Sequence, residues 1–282
     1  MRPLRLLLLT TTAAALAQAP PLWLRYPAIS PDGASVAFSY QGDLYRVPSA
    51  GGAATPLTVG GSYSSRPVWS HDGRWIAFAS DRSGNLDVYV MPSQGGEARR
   101  LTHHSAPDLP CAFTPDDKEI LFTSQRGHSA QSRQFPGRSF PETWLVSRED
   151  GRTRRLTDTT LENAAYGPAG ARILFQDVKG YEDPFRKHHT SAVTRDIWSF
   201  QPASGAFTRL TSFKGEDRNP VFGSDGDTFY YLSERAGSFN VFRGSVAHPD
   251  QAEAVTRFRT HPVRFLTAAR DNTLCFAYDG EI

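Results

Sequence analysis

Apolar positions in this chain come in short runs rather than at helical spacing. After the N-terminal segment the runs "SVAFSY" (35–40), "WIAFAS" (75–80), "EILFTS" (119–124), "RILFQD" (172–177), "TFYYLS" (228–233) and "TLCFAY" (273–278) stand out. Their length, their β-branched and aromatic content and the turn residues around them predict strands. Both faces of each run are apolar more often than strict alternation would give, which is the pattern of a sheet covered on both sides.

Three further landmarks recur around these runs. Before each stands a turn: Ser30-Pro31-Asp32-Gly33, Ser70-His71-Asp72-Gly73, Thr114-Pro115-Asp116-Asp117, Gly167-Pro168-Ala169-Gly170, Ser224-Asp225-Gly226 and Arg270-Asp271-Asn272. Pro presets φ, Asp bonds its own backbone, and Gly or Asn accepts positive φ, so these predict tight hairpins. After each of the first five runs an acidic or amide residue leads an aromatic strand: Asp43-Leu44-Tyr45, Asp87-Val88-Tyr89, Glu142-Thr143-Trp144, Asp196-Ile197-Trp198 and Asn240-Val241-Phe242. A closing strand ends in Leu57-Thr58, Leu101-Thr102, Leu156-Thr157, Leu210-Thr211 and Val255-Thr256. Each repeat is thus four short antiparallel strands.

The closing Leu or Val positions are 44, 55, 54 and 45 residues apart, with the longer repeats carrying insertions in their second hairpin loop. That period is the one of propeller blades, whereas a helical solenoid would show 3.6-residue periodicity. The predicted fold is therefore all-β: a six-bladed β-propeller of four-stranded antiparallel blades. The blades lie at about 26–59, 66–103, 109–158, 164–212 and 219–258, with a partial sixth at about 263–282. "DGEI" (279–282) begins a third strand of blade six, and this end reads as a cut. Because propellers normally close by sharing a strand between the termini, "LWLR" (22–25) is expected to supply the outer strand of blade six.

Composition then narrows the setting. A content of 39% hydrophobic and 12% aromatic residues over 282 positions supplies the core of a globular chain. "MRPLRLLLLTTTAAALAQA" places Arg2 and Arg5 before an apolar run and small residues, the layout of a secretory signal peptide over 1–17. Cleavage after Ala17 is preferred to cleavage after Ala19, which would leave Pro20 at the new N-terminus. Removing two arginines turns 31 basic against 29 acidic residues into 29 of each, so no basic stripe for nucleic acid remains. No later segment is long and apolar enough to span a membrane.

Candidate chemistry is sparse, and no cofactor is implied. Gly127-His128-Ser129-Ala130-Gln131 lacks the final Gly of a nucleophile elbow and lies in a polar loop, 125–141. His103-His104 and His188-His189 are adjacent pairs, which point apart on a strand and rarely share one metal. Arg186, Lys187, His188, His189 and Arg195 form a basic loop, offset by Glu182 and Asp183, that is the candidate docking or peptide-contact surface. Asp217 and Arg218 are loop-fixing residues or face the central channel. Arg82 and Arg235 are expected to brace their hairpins through Asp81 and Glu234. Cys111 and Cys275 fall in opposite blades, too far apart for a disulfide, and are expected as free buried thiols.

The turn "SPDG" with "AFSY", "ASDRSGNLDVYVMPSQGG" and "RLT" resembles the TolB-type, WD-like propeller repeat. "KGYEDPFRKHHTSAVTRDIW" (179–198), "GEDRNPVF" (215–222), "YYLSERAGSFNVF" (230–242), "THPVRFL" (260–266) and "LCFAYDGEI" (274–282) narrow the resemblance to the N-terminal six-bladed propeller of bacterial tricorn-like serine peptidases, over residues 22–282. That resemblance implies a longer exported polypeptide with a second propeller, a PDZ domain and a peptidase core that holds the catalytic residues. It also implies a non-catalytic role here, in peptide access, product exit or assembly. The competing reading is a stand-alone periplasmic TolB-like scaffold for protein partners, and a third is an enzyme with its site at the channel mouth. Peptides are the expected small partners, and self-association is left open.

Overall fold

The computed structural model describes residues 23–126, 140–180 and 191–282. The predicted signal peptide, most of the polar loop at 125–141 and most of the basic loop around 186 lie outside these residues. What is described is built of strands and turns, with no helix among the described residues.

Six inner strands, Arg25–Ile29, Ser64–Trp69, Asp108–Phe113, Glu162–Tyr166, Asp217–Phe222 and Arg264–Ala268, each open a blade. Five of them begin a four-stranded antiparallel sheet in simple sequential order, and the sixth pairs only with Leu274–Ala277. After that strand, Asp279 (φ 52°) and Gly280 (φ 85°) repeat the turn made by Gln41 (φ 51°) and Gly42 (φ 91°), and Tyr278 bridges Glu281 as Tyr40 pairs with Asp43. Two left-handed residues in succession suit the twist of a two-residue hairpin.

The landmarks of the repeat have specific jobs. Ser30 Oγ donates to Asp32 Oδ1 at 2.5 Å and accepts from Ser35 N at 3.0 Å, and Ser70 and Thr114 do the same in their turns. The fourth turn residue is left-handed, and where it is not glycine its side chain reaches the preceding blade. Asp117 accepts from the N–H groups of His71 and Asp72, and Asn272 Oδ1 accepts from Ser224 N. The closing threonine is a clamp: Thr58 Oγ1 donates to Asp43 and accepts from Leu44 N, Thr102 links Asp87 and Val88 N, and Thr256 links Asn240 and Val241 N. The acid-aromatic and Leu-Thr landmarks are therefore two halves of one hydrogen-bonded joint.

The apolar residues on both faces of each sheet sit between neighbouring blades. Ala37 and Leu44 of blade one pack on Ile76, Phe78 and Met91 of blade two, and comparable clusters fill each later interface. Each fully buried large side chain of this kind contributes about 1.5–3 kcal/mol. The interface between blades six and one is the smallest, built on Ile29, Val36, Ala269 and Cys275 with Val47 against them.

Two expectations are corrected here. Arg82 and Arg235 do not bind the neighbouring acids. Arg82 bonds Ser80 Oγ and lies over Phe78 and Tyr89, while Arg235 bonds Ser233 Oγ and Asp217 and lies over Tyr231 and Phe242. Residues two apart share a face of a strand and adjacent ones do not, so Asp81 and Glu234 turn away to accept from Tyr63 N and Glu216 N. Of the segment at 22–25, the described residues Trp23, Leu24 and Arg25 do not form an outer strand for blade six. Arg25 already belongs to the inner strand of blade one, and Leu24 contributes a single N–H to Gly280 O at 3.0 Å. Blade six instead meets blade one side by side, through contacts such as Ile29 N to Thr267 Oγ1 and Arg270 N to Pro31 O.

Candidate functional site: the central lumen

Every inner strand carries a bulge against its neighbour, and five of the six place a non-glycine residue in the left-handed region there. These are Tyr26 (φ 51°), Arg66 (φ 54°), Asn163 (φ 50°), Asn219 (φ 51°) and Phe265 (φ 58°), and Pro110 takes the corresponding place in blade three. Asn tolerates this conformation; for Tyr, Arg and Phe it is rare and strained, at roughly 1–3 kcal/mol each. A bulge re-aims the side chain. Here all six residues line one cavity of about 1170 Å³ along the axis of the ring.

The two walls of this lumen differ. On the side of blades six, one and two, Phe265 and Tyr26 lie with ring centroids 4.5 Å apart, and the Arg66 guanidinium sits over Tyr26 at 5.1 Å. On the side of blades four and five, Gln176 is a hub: its amide donates to Glu162 at 2.6 Å and accepts from Asn163 and from the Asn219 N–H. Arg195 joins Glu162 at 2.9 Å to Glu216 at 3.5 Å, and Arg218 lies 3.4 Å from Glu216 with its guanidinium 3.9 Å over Phe239. Nearer the turns the wall becomes small and apolar, with Ala28, Val68, Ala112, Ala165 and Val221. At the turn end Arg270 reaches past blade one to donate to His71 O at 2.6 Å.

Of the basic loop, Arg186, Lys187, His188 and His189 lie outside the described residues. Arg195 is not on an exposed surface: it is buried, turned inward into the lumen wall and held by two carboxylates. Asp217 and Arg218 part company. Arg218 lines the lumen, whereas Asp217 is not among the lining residues and is buried against Arg235 at 3.0 Å. Burial pushes the Asp217 carboxyl upward against the opposing pull of Arg235. Cys111 lines the lumen and Cys275 lies at the seam, both as free thiols raised by burial, Cys275 to about 11.

Sequence reasoning missed the bulge ring. Its signal was an X-Pro pair three or four residues ahead of the turn in Tyr26-Pro27, Arg66-Pro67 and Asn219-Pro220. The lumen offers aromatic faces, amides and guanidinium groups, which is the chemistry of recognition. Among the described residues no group of three His, Cys, Asp or Glu side chains is placed to hold a metal.

Four-stranded blades whose inner strands ring a lined lumen define a β-propeller. Within that class the chain belongs to the tricorn protease N-terminal β-propeller domain family, whose sequence model matches residues 21–282. It is 28% identical to tricorn protease homolog 1 of Streptomyces coelicolor over 221 residues, 78% of this chain and 20% of that protein. The chain thus spans about a fifth of that curated relative. Its fold is similar to the crystal structure of the tricorn protease, with TM-score 0.73 and 19% identity over 93% of this chain and 25% of that one. A putative TolB from Agrobacterium tumefaciens is similar at TM-score 0.67 and 21% identity, over 84% of this chain and 82% of that one. Identities this low between solved structures speak for the fold alone.

Proposed function

We propose that this chain is a non-catalytic propeller module of an exported tricorn-like serine peptidase, acting in peptide access, product exit or assembly. The observation that carries the reading is the family match over 21–282, in a relative of which this stretch is a fifth. The lumen supports it, because its wall offers aromatic faces, amides and guanidinium groups, which suit contact with a peptide. The downstream propeller, PDZ and peptidase domains of the same polypeptide would be its partners, and the leader over 1–17 would direct export to the periplasm or beyond.

The test is the intact mass of the native product in the exported fraction, detected with an antibody to residues 20–282. A product several times heavier than this chain, hydrolysing peptides, is the expected result. A mature product of this chain's own size would overturn it. That outcome would favour the second reading, a TolB-like scaffold, which rests on a putative TolB of which this chain covers 82%.

A further inference from the structure

Arg66 is a lumen cation without a counter-charge. It is half-buried, it occupies a strained left-handed position, and among the described residues it contacts the face of Tyr26 and makes no ion pair. Other arginines divide into two groups: Arg126 has Asp108, Arg235 has Asp217, Arg195 has Glu162 and Arg100 has Asp87, whereas Arg82 and Arg270 bond hydroxyl or carbonyl oxygens, leaving Arg66 as the lumen guanidinium whose one described contact is an aromatic face. A guanidinium fork matches a carboxylate with two parallel hydrogen bonds, and partial burial strengthens such a pair over its value in water.

The surroundings of Arg66 say which carboxylate. Beside it the Tyr26 and Phe265 rings offer an apolar face, and across the lumen Asn219 presents a side-chain amide while its backbone N–H is taken by Gln176. Toward the turns the wall is small and apolar. A carboxylate, an apolar side chain and an amide occur together within a few bonds at one place in a polypeptide, its free C-terminus.

We propose that the lumen binds the C-terminus of short peptides: Arg66 pairs the terminal carboxylate, Tyr26 and Phe265 cover an apolar last side chain, and Asn219 bonds the last amide. The choice of peptide as the source of the carboxylate rests on the peptidase-module reading. The carboxylate chemistry rests on the wall itself.

Calorimetry at low salt tests this with three probes, Ala-Ala-Phe as the free acid, Ala-Ala-Phe as the C-terminal amide, and tri-galacturonate, on the whole chain. The free acid should bind about tenfold more tightly than the amide, the usual scale for one charge-assisted pair. R66Q should abolish that preference, R66K should keep part of it, and R152Q, which changes an exposed arginine, should leave it intact. R66K carries the test if R66Q melts or aggregates. Equal affinity for acid and amide, a preference that survives in R66Q, or no binding of either peptide would overturn the proposal. Arg66-dependent binding of tri-galacturonate in place of the tripeptide would overturn the peptide assignment. None of these outcomes bears on the peptidase-module reading, which stands or falls on the mass of the native product.

Discussion

Arg126 reaches back across blade three so that its Nε lies 3.2 Å from Oδ1 of Asp108, while its guanidinium covers Phe122 at 4.9 Å and Trp144 at 5.4 Å. Asp108 is fully buried and the Arg126 side chain nearly so, at 10% exposed. Blade five builds the same unit from Arg235, Asp217, Tyr231 and Phe242. Removing one partner of such a pair leaves a buried charge, at a cost of about 3–5 kcal/mol. D108A should therefore lower the urea midpoint severely, and D108A/R126M should recover a large part of the loss. Equal midpoints for the single and double variants would refute the coupling.

The closing threonine can be tested at blade two. Thr102 is 1% exposed, and its Oγ1 accepts from Val88 N at 2.9 Å. Valine has the same shape without the acceptor, so T102V leaves a buried N–H unsatisfied and should cost about 1–3 kcal/mol, while T102S should cost less. Chemical denaturation of the two variants decides it.

Gly33 and Gly170 occupy the same turn position with φ of 73° and 70°, yet a Cβ would meet different surroundings. At Gly33 the nearest atom would be Asp271 Oδ2 at 3.7 Å; at Gly170 it would be Pro115 Cγ of the preceding blade at 2.7 Å. Both alanine variants bear the left-handed cost of about 1–2 kcal/mol. G170A should lose roughly 1–3 kcal/mol more, because a rigid proline ring must shift. Matching melting temperatures would show that the blades yield freely at this point.

Asp72 gives a pH signature. Partial burial works against its ionisation, but hydrogen bonds from Ser70 Oγ and from Arg74 N, with the Arg74 side chain, outweigh burial and hold it at about 2. A folded value below the ordinary 3.8 means stability that is present above that value and lost as pH falls toward about 2. D72N, titrated by urea midpoint, should be less stable than the native chain near neutrality, and the gap should close across that window. A gap independent of pH would sink the assignment.

What the sequence disclosed and what it withheld divide along physical lines. Turns were legible because each needs a particular residue type, a hydroxyl and a carboxylate two apart or a glycine or amide at positive φ; the two halves of each clamp were legible as landmarks, but not the bond that joins them across the sheet. The lumen was not, because a bulge accepts Tyr, Arg, Asn or Phe alike and leaves only the following proline as a trace. Arg195 was read as a surface residue since its partners, Glu162 and Glu216, are distant in sequence and arrive with other strands. Arg82 and Arg235 were assigned to the wrong acids because chain neighbours on a strand face opposite ways.

Among the described residues blade six and blade one meet through side chains and a few hydrogen bonds, and the cluster at that junction is the smallest of the ring. The side chains of Ile29, Val36, Ala269 and Cys275 act there as a latch, and two of them, Ile29 and Ala269, also face the lumen. Trimming a single latch side chain therefore loosens the seam and reshapes the bore at the same point.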